Sequence, residues 1–171
     1  MALDSLNKEE NETGEERKWA EKIQSWLDSR KFNVAGVNEV LDYLKNLEQL
    51  SPELKKTLLP YFQSIRWEGF AAFMLEQIPQ CKSAEVRVLL LRTCWENGAD
   101  FSPYLNQLIH ILLFGSFEEA LEASSVIESI DPLMLSESQK EDGINLILEN
   151  LNKLDEQRKG YASLMIETLQ P

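Results

Sequence analysis

Trp67–Gly98 reads WEGFAAFMLEQIPQCKSAEVRVLLLRTCWENG, and Phe101–Asp131 reads FSPYLNQLIHILLFGSFEEALEASSVIESID. Each stretch is an apolar helix, a tight polar turn and a second apolar helix. The copies begin 34 residues apart, at 67 and 101, and fainter copies flank them. A period of roughly 20–50 residues is the signature of stacked helical units, in which no unit buries its own hydrophobic face and neighbours must cover it.

Working outward, Ser51-Pro52-Glu53 starts a helix with a capping residue followed by Pro at the first helical position. Leu54, Leu58, Phe62 and Ile65 give it a buried face, and Pro60 is expected to kink it or shorten its first half. Asn33 caps a helix striped by Val37, Leu41, Leu44 and Leu47. A helix from Glu15 places Trp19, Ile23, Trp26 and Leu27 on one face and Lys18, Glu21 and Asp28 on the other. On the C-terminal side a helix begins near Ser138, carrying Ile144, Ile147, Leu148, Leu151 and Leu154. A last short one carries Tyr161, Leu164, Met165 and Leu169. The reading is nine helices and no strand. The most apolar helices lie mid-sequence and the more amphipathic ones at the ends, an ordering expected of a linear stack and not of a closed bundle.

Composition agrees. The chain has 171 residues, with only seven Gly and six Pro, too few breakers for a turn-rich β sandwich. The net charge of −12 is uneven. Residues 1–16 carry one base and six acids, residues 17–116 twelve bases and eleven acids, and residues 117–171 four bases and twelve acids. An acidic chain repels phosphate backbones, so no nucleic-acid partner is expected. Leu105–Phe114 is too short to span a bilayer, so no membrane role is expected either. The N-terminus lacks a basic and apolar leader, and two cysteines make no disulfide framework, so a cytoplasmic location is predicted. Residues 1–14 read as a disordered acidic tail, and 15–171 as one repeat domain.

Ile78-Pro79-Gln80-Cys81-Lys82-Ser83-Ala84-Glu85-Val86-Arg87, with Leu90 and Cys94 following, resembles the turn and second helix of a HEAT repeat, where a Val-Arg pair commonly follows a short turn. Phe114–Ala120, with Ile127 later, looks like the same element without that pair. The resemblance to HEAT and armadillo repeats implies an all-α fold: a short right-handed α-solenoid of about four antiparallel helix pairs (33–49 with 51–64, 67–79 with 83–97, 101–114 with 116–130, 138–154 with 157–169) and an N-terminal capping helix over 15–30.

No phosphate loop, dinucleotide fingerprint, nucleophile elbow or zinc-protease motif occurs, and neither enzymatic activity nor a cofactor or metal is expected. His110 is the single histidine and sits on an apolar helix. Cys81 lies beside Lys82, which would lower a thiol pKa, but no oriented base accompanies it. Glu118 and Glu122, one turn apart, have the spacing of a cation pair and equally that of a solvated face.

What remains is a surface. The resemblance implies that the second helix of each pair lines a concave side. There the polar strips are Lys55, Lys56 and Gln63; then Glu85, Arg92 and Glu96; then Glu118, Glu122, Ser125 and Ser129. The strips run from basic to acidic, a gradient suited to a complementary peptide or helix. The expectation is a protein-interaction module without catalysis. The competing one is a structural homo-oligomer assembling through Tyr161, Leu164, Met165 and Leu169.

Overall fold

The computed structural model describes the backbone of residues 2–30 and 32–170 and the side chains of 14–30 and 32–170. Among the described residues there is no strand. Nine α-helices follow one another: α1 (Ala2–Ser29), α2 (Val34–Leu44), α3 (Pro52–Ser64), α4 (Phe70–Gln77), α5 (Ala84–Asn97), α6 (Leu105–Phe114), α7 (Phe117–Glu128), α8 (Glu137–Asn150) and α9 (Glu156–Leu169). Short 3-10 turns at Ile78–Gln80, Ser102–Tyr104, Pro132–Met134 and Leu151–Lys153 join some of them. The backbone of α1 is helical from Ala2, ahead of the Glu15 start that the sequence suggested. The side chains of the acidic tail read over 1–14 lie, but for Gly14, outside the described residues.

Most helix starts follow from local capping chemistry. Asn33 Oδ1 accepts from the Gly36 N–H at 2.7 Å and Ser51 Oγ from the Leu54 N–H at 3.3 Å. Ser116 and Ser136 each form a reciprocal capping box, with Glu119 and Gln139, so two orphan amides at each helix start are satisfied together. Ser83 holds the N-cap position before α5, but its side chain makes no capping bond.

Several elements differ from expectation: the helix expected over 33–49 already ends at Leu44. The helix expected from Trp67 begins only at Phe70, because Gly69 takes a left-handed φ of 87° that ends the turn before it and that side-chain-bearing residues rarely adopt. The helix expected from Phe101 opens as a 3-10 turn held by Asp100 Oδ1, which accepts from the Ser102 N–H at 2.9 Å. Pro60 does not shorten its helix: α3 runs from Pro52 to Ser64 with an exposed Pro60 inside.

Burial follows the apolar stripes. Leu41, Leu44, Leu54, Leu58, Met74, Leu90, Leu91, Leu108, Leu112 and Val126 are among the fully buried side chains of one continuous core. The odd-numbered helices pack in succession, α1 on α3, α3 on α5, α5 on α7 and α7 on α9. On the other side α6 packs on α7 and α8, and α8 on α9. Gly115 makes the tight α6–α7 link: a Cβ there would sit 2.7 Å from the Ile111 carbonyl oxygen. Gly143 lets α8 approach α6, since its Cβ would meet Ile109 Cδ1 at 2.8 Å.

Tyr61 is fully buried among Trp26, Phe32 and Phe62, and its hydroxyl has no hydrogen-bond partner. Burial, with a smaller contribution from Glu39, pushes the phenol up to about 12. An unpaired buried hydroxyl costs about 1–3 kcal/mol. Tyr61→Phe is therefore expected to leave stability unchanged or raise it by about 1 kcal/mol in urea unfolding. A loss of stability would show that the hydroxyl is satisfied in solution.

Candidate functional site

The odd-numbered helices carry the polar residues that the sequence placed on a binding face, and most of these residues bond to one another across helix boundaries. Lys55 on α3 pairs with Glu85 on α5, and Gln63 on α3 donates to Glu96 on α5. Arg92 on α5 donates to Glu122 Oε1 on α7 through Nη2 at 2.6 Å and Nε at 3.0 Å. Trp95 Nε1 donates to the second Glu122 oxygen at 3.1 Å. Ser125 and Ser129 turn back on their own helix, to the carbonyls of Leu121 and Val126. Of the ten strip residues, Lys56 and Glu118 are exposed and without a polar partner.

The expected gradient from basic to acidic is reduced but keeps its sign, with Lys56 uncompensated at one end and Glu96 and Glu118 toward the other. Lys55 is neutralised by Glu85, and Glu122 by Arg92. Glu122 is also 5% exposed, which removes it as half of a surface cation pair with Glu118. The Arg92 guanidinium is shifted further up by its hydrogen bond to Glu122, against the opposing effect of burial.

A second pair on the same seam escaped the sequence reading. Arg87 Nε donates to Glu119, which is 6% exposed, while Arg87 Nη1 donates to the Cys81 and Lys82 carbonyls at 2.8 and 2.9 Å. Burial alone would raise the Glu119 carboxyl, but the Ser116 N–H and the Arg87 guanidinium outweigh it and hold Glu119 below its ordinary 4.5. Asn97 works toward the other neighbour, donating to the carbonyls of Phe62 and Ile65 at 2.9 and 2.8 Å.

These contacts share a spacing. Side-chain bonds between helices, including Glu16 with the Ser51 N–H, Glu85 with the Leu50 N–H and Gln139 with the Ser102 carbonyl, link residues 27 to 37 apart in sequence. The exceptions are Lys22–Glu39, 17 apart, and Arg158–Leu113, 45 apart.

One open groove of about 850 Å³ lies between α1 and α3. Arg17, Glu21, Gln24 and Asp28 line it from α1, and Glu53, Lys56 and Thr57 from α3. Arg17 pairs with Glu21 at 3.2 Å, while Gln24 donates to Asp28 at 2.8 Å without neutralising it, so Asp28, Glu53 and Lys56 are its unpaired charges.

The residues with chemical potential are dispersed. His110 is exposed and rests against Phe114, ring centroids 4.6 Å apart. Cys81 is buried and directs its thiol at the Gln77 carbonyl at 3.6 Å. Burial raises its pKa in spite of Lys45 and Arg87, so the lowering expected from Lys82 does not occur. Cys94 is fully buried, which raises its pKa strongly. Among the described residues no three His, Cys, Asp or Glu side chains gather as a metal site, and no helix is long and apolar enough to cross a membrane. On α9, Met165 and Leu169 are buried and Tyr161 packs on Phe117, leaving Leu164 as the exposed apolar residue of the set named for self-assembly.

Two outcomes follow. Arg87→Met is expected to cost about 1–3 kcal/mol at pH 7, the range for a hydrogen bond to a buried charge. Because the folded Glu119 pKa lies below its unfolded value, that contribution is complete above pH 4.5 and is lost as pH falls through the folded value. The gap between wild type and variant should narrow in acid unfolding curves to the part owed to the Cys81 and Lys82 carbonyls, and a constant gap would remove Glu119 as the partner that matters. Both thiols should resist alkylation at pH 8 until denaturant is added, and rapid native labelling of Cys81 would contradict its burial.

No protein-family model, no curated protein and no solved structure matches this chain.

Proposed function

We propose that the chain is a protein-interaction module without catalysis of its own, built as a short HEAT-like right-handed α-solenoid of four antiparallel helix pairs behind the capping helix α1. The observation that carries this reading is the one-unit spacing of the polar contacts. In a linear array each unit touches the next, so long-range contacts recur at the repeat length. The sequence period of 34 residues lies inside the observed 27–37 window. The scattering of His110, Cys81 and the carboxylates supports binding over chemistry.

In this reading the partner is a peptide or helix held against the row α3–α5–α7. The paired residues Lys55, Glu85, Gln63, Glu96, Arg92 and Glu122 hold the row together, and recognition falls to Lys56 in the α1–α3 groove and to Glu118 on α7. Rim charges of this kind set specificity and association rate more than fold stability. The protein and its partner act in the cytoplasm.

The test is a paired charge reversal, Lys56→Glu with Glu118→Lys. Partner capture from lysate of the native host should fall about tenfold or more, while far-ultraviolet circular dichroism and Tm stay as in wild type. Undiminished capture would discard this face. A concentration-dependent mass in light scattering, abolished by Leu164→Asp, would favour the homo-oligomer instead.

A further inference from the structure

The connection between α7 and α8 departs from every other in what it shows to solvent. Ile130 and Leu135 turn inward and are buried. Between them Leu133 is 91% exposed and Met134 56%, the largest exposures of any big apolar side chain described. Large apolar side chains held in water mark interaction sites when they stand together.

The segment is also braced. Asp131 Oδ1 accepts from the Leu133 N–H at 2.9 Å, and the Asp131 carbonyl from the Met134 N–H at 2.9 Å. Pro132 opens the 3-10 turn with its φ restricted by the ring. With both ends anchored in the core, the two side chains are presented on an ordered arch. A partner that took them would order little backbone, and preorganisation of this kind raises affinity.

The electrostatics around the arch identify what would take it. Glu128 ends α7, whose last turn carries no base and whose carbonyls form the negative end of the helix dipole. Asp131 is exposed beside it, and the next helix begins with Glu137 and continues through the exposed Glu141 and Asp142. The nearby base Lys140 is engaged by Glu137 at 2.9 Å. Glu137 is thus compensated, and the apolar tip stands beside the unpaired Glu128 and Asp131 at a helix C-terminus, a setting that a basic rim complements.

We propose that the Asp131–Met134 arch is a second docking element, which seats Leu133 and Met134 in an apolar socket rimmed by Lys or Arg on a partner protein. It rests on the reading of the chain as an interaction module, and it adds a contact on a different element from Lys56 and Glu118. The acidic flank steers the encounter and the apolar tip holds it.

The full chain carrying the photoreactive residue p-benzoylphenylalanine in place of Leu133 should be irradiated in cells of the native host and the cross-linked peptide sequenced. The expected result is one dominant adduct, in a segment where Lys or Arg flanks apolar residues. Glu128→Lys in the same chain should cut its yield tenfold or more. Adducts spread over abundant proteins, an adduct to a second copy of this chain alone, or a yield indifferent to Glu128→Lys would each overturn the proposal. Loss of capture in the Lys56→Glu and Glu118→Lys chain, alongside no specific adduct at 133, would leave the module standing and remove the arch.

Discussion

A helix that is apolar on two flanks has to be covered on both, and α5 is where that constraint binds hardest. Leu90, Leu91, Val86 and Cys94 are fully buried on it, and neither α3 nor α7 alone could bury all of them. Burying a side chain of this size is worth about 1.5–3 kcal/mol, so the arrangement that sandwiches α5 outcompetes one that leaves a flank wet. The polar groups then follow. Residues at the edges of a sandwiched helix are brought against neighbouring helices, and their donors and acceptors must be met there.

That necessity explains the Arg87–Glu119 and Arg92–Glu122 pairs better than a search for extra stability does. A carboxylate drawn out of water costs more than an ion pair commonly returns unless its remaining lone pairs are satisfied. Glu119 receives the Ser116 amide as well as Arg87, and Glu122 receives the Trp95 indole as well as Arg92. Each carboxylate has both oxygens engaged. The pairs therefore specify which helix lies beside which, and in what register, while the apolar flanks supply most of the free energy.

How much of this was legible depended on distance along the chain. Local signals read well: Asn33 and Ser51 cap where their patterns said, and the apolar stripes of α3 and α6 are buried as their spacing implied, while α2 buries Val37, Leu41 and Leu44 but ends before Leu47. Signals that depend on a partner helix did not. Periodicity places a charged residue outside, which gives Glu122 a surface position although it is buried, and it does not show that most strip residues bond to one another across helices. The omission has a traceable signal. Lys55 and Glu85 lie 30 residues apart, Arg92 and Glu122 30, and Arg87 and Glu119 32. Each base is followed by an acid 30 or 32 residues later, a correlation invisible within any single helix. Trp67 failed differently, since its helical spacing is genuine but Gly69 breaks the backbone after it.

The two flanks of α5 have opposite character. Toward α3 it offers the acids Glu85 and Glu96, and toward α7 the bases Arg87 and Arg92. Its leading edge is thus opposite in sign to its trailing edge, as in a tile that fits its own copy in part. In a tandem duplication of the segment around α4 and α5, Arg87 of the first copy would meet Glu85 of the second, as Lys55 meets Glu85 here, while Arg92 would meet Leu89 where α7 offers Glu122. Such a copy would keep one of the two charge matches and the apolar flanks, and an acid in place of Leu89 would supply the other.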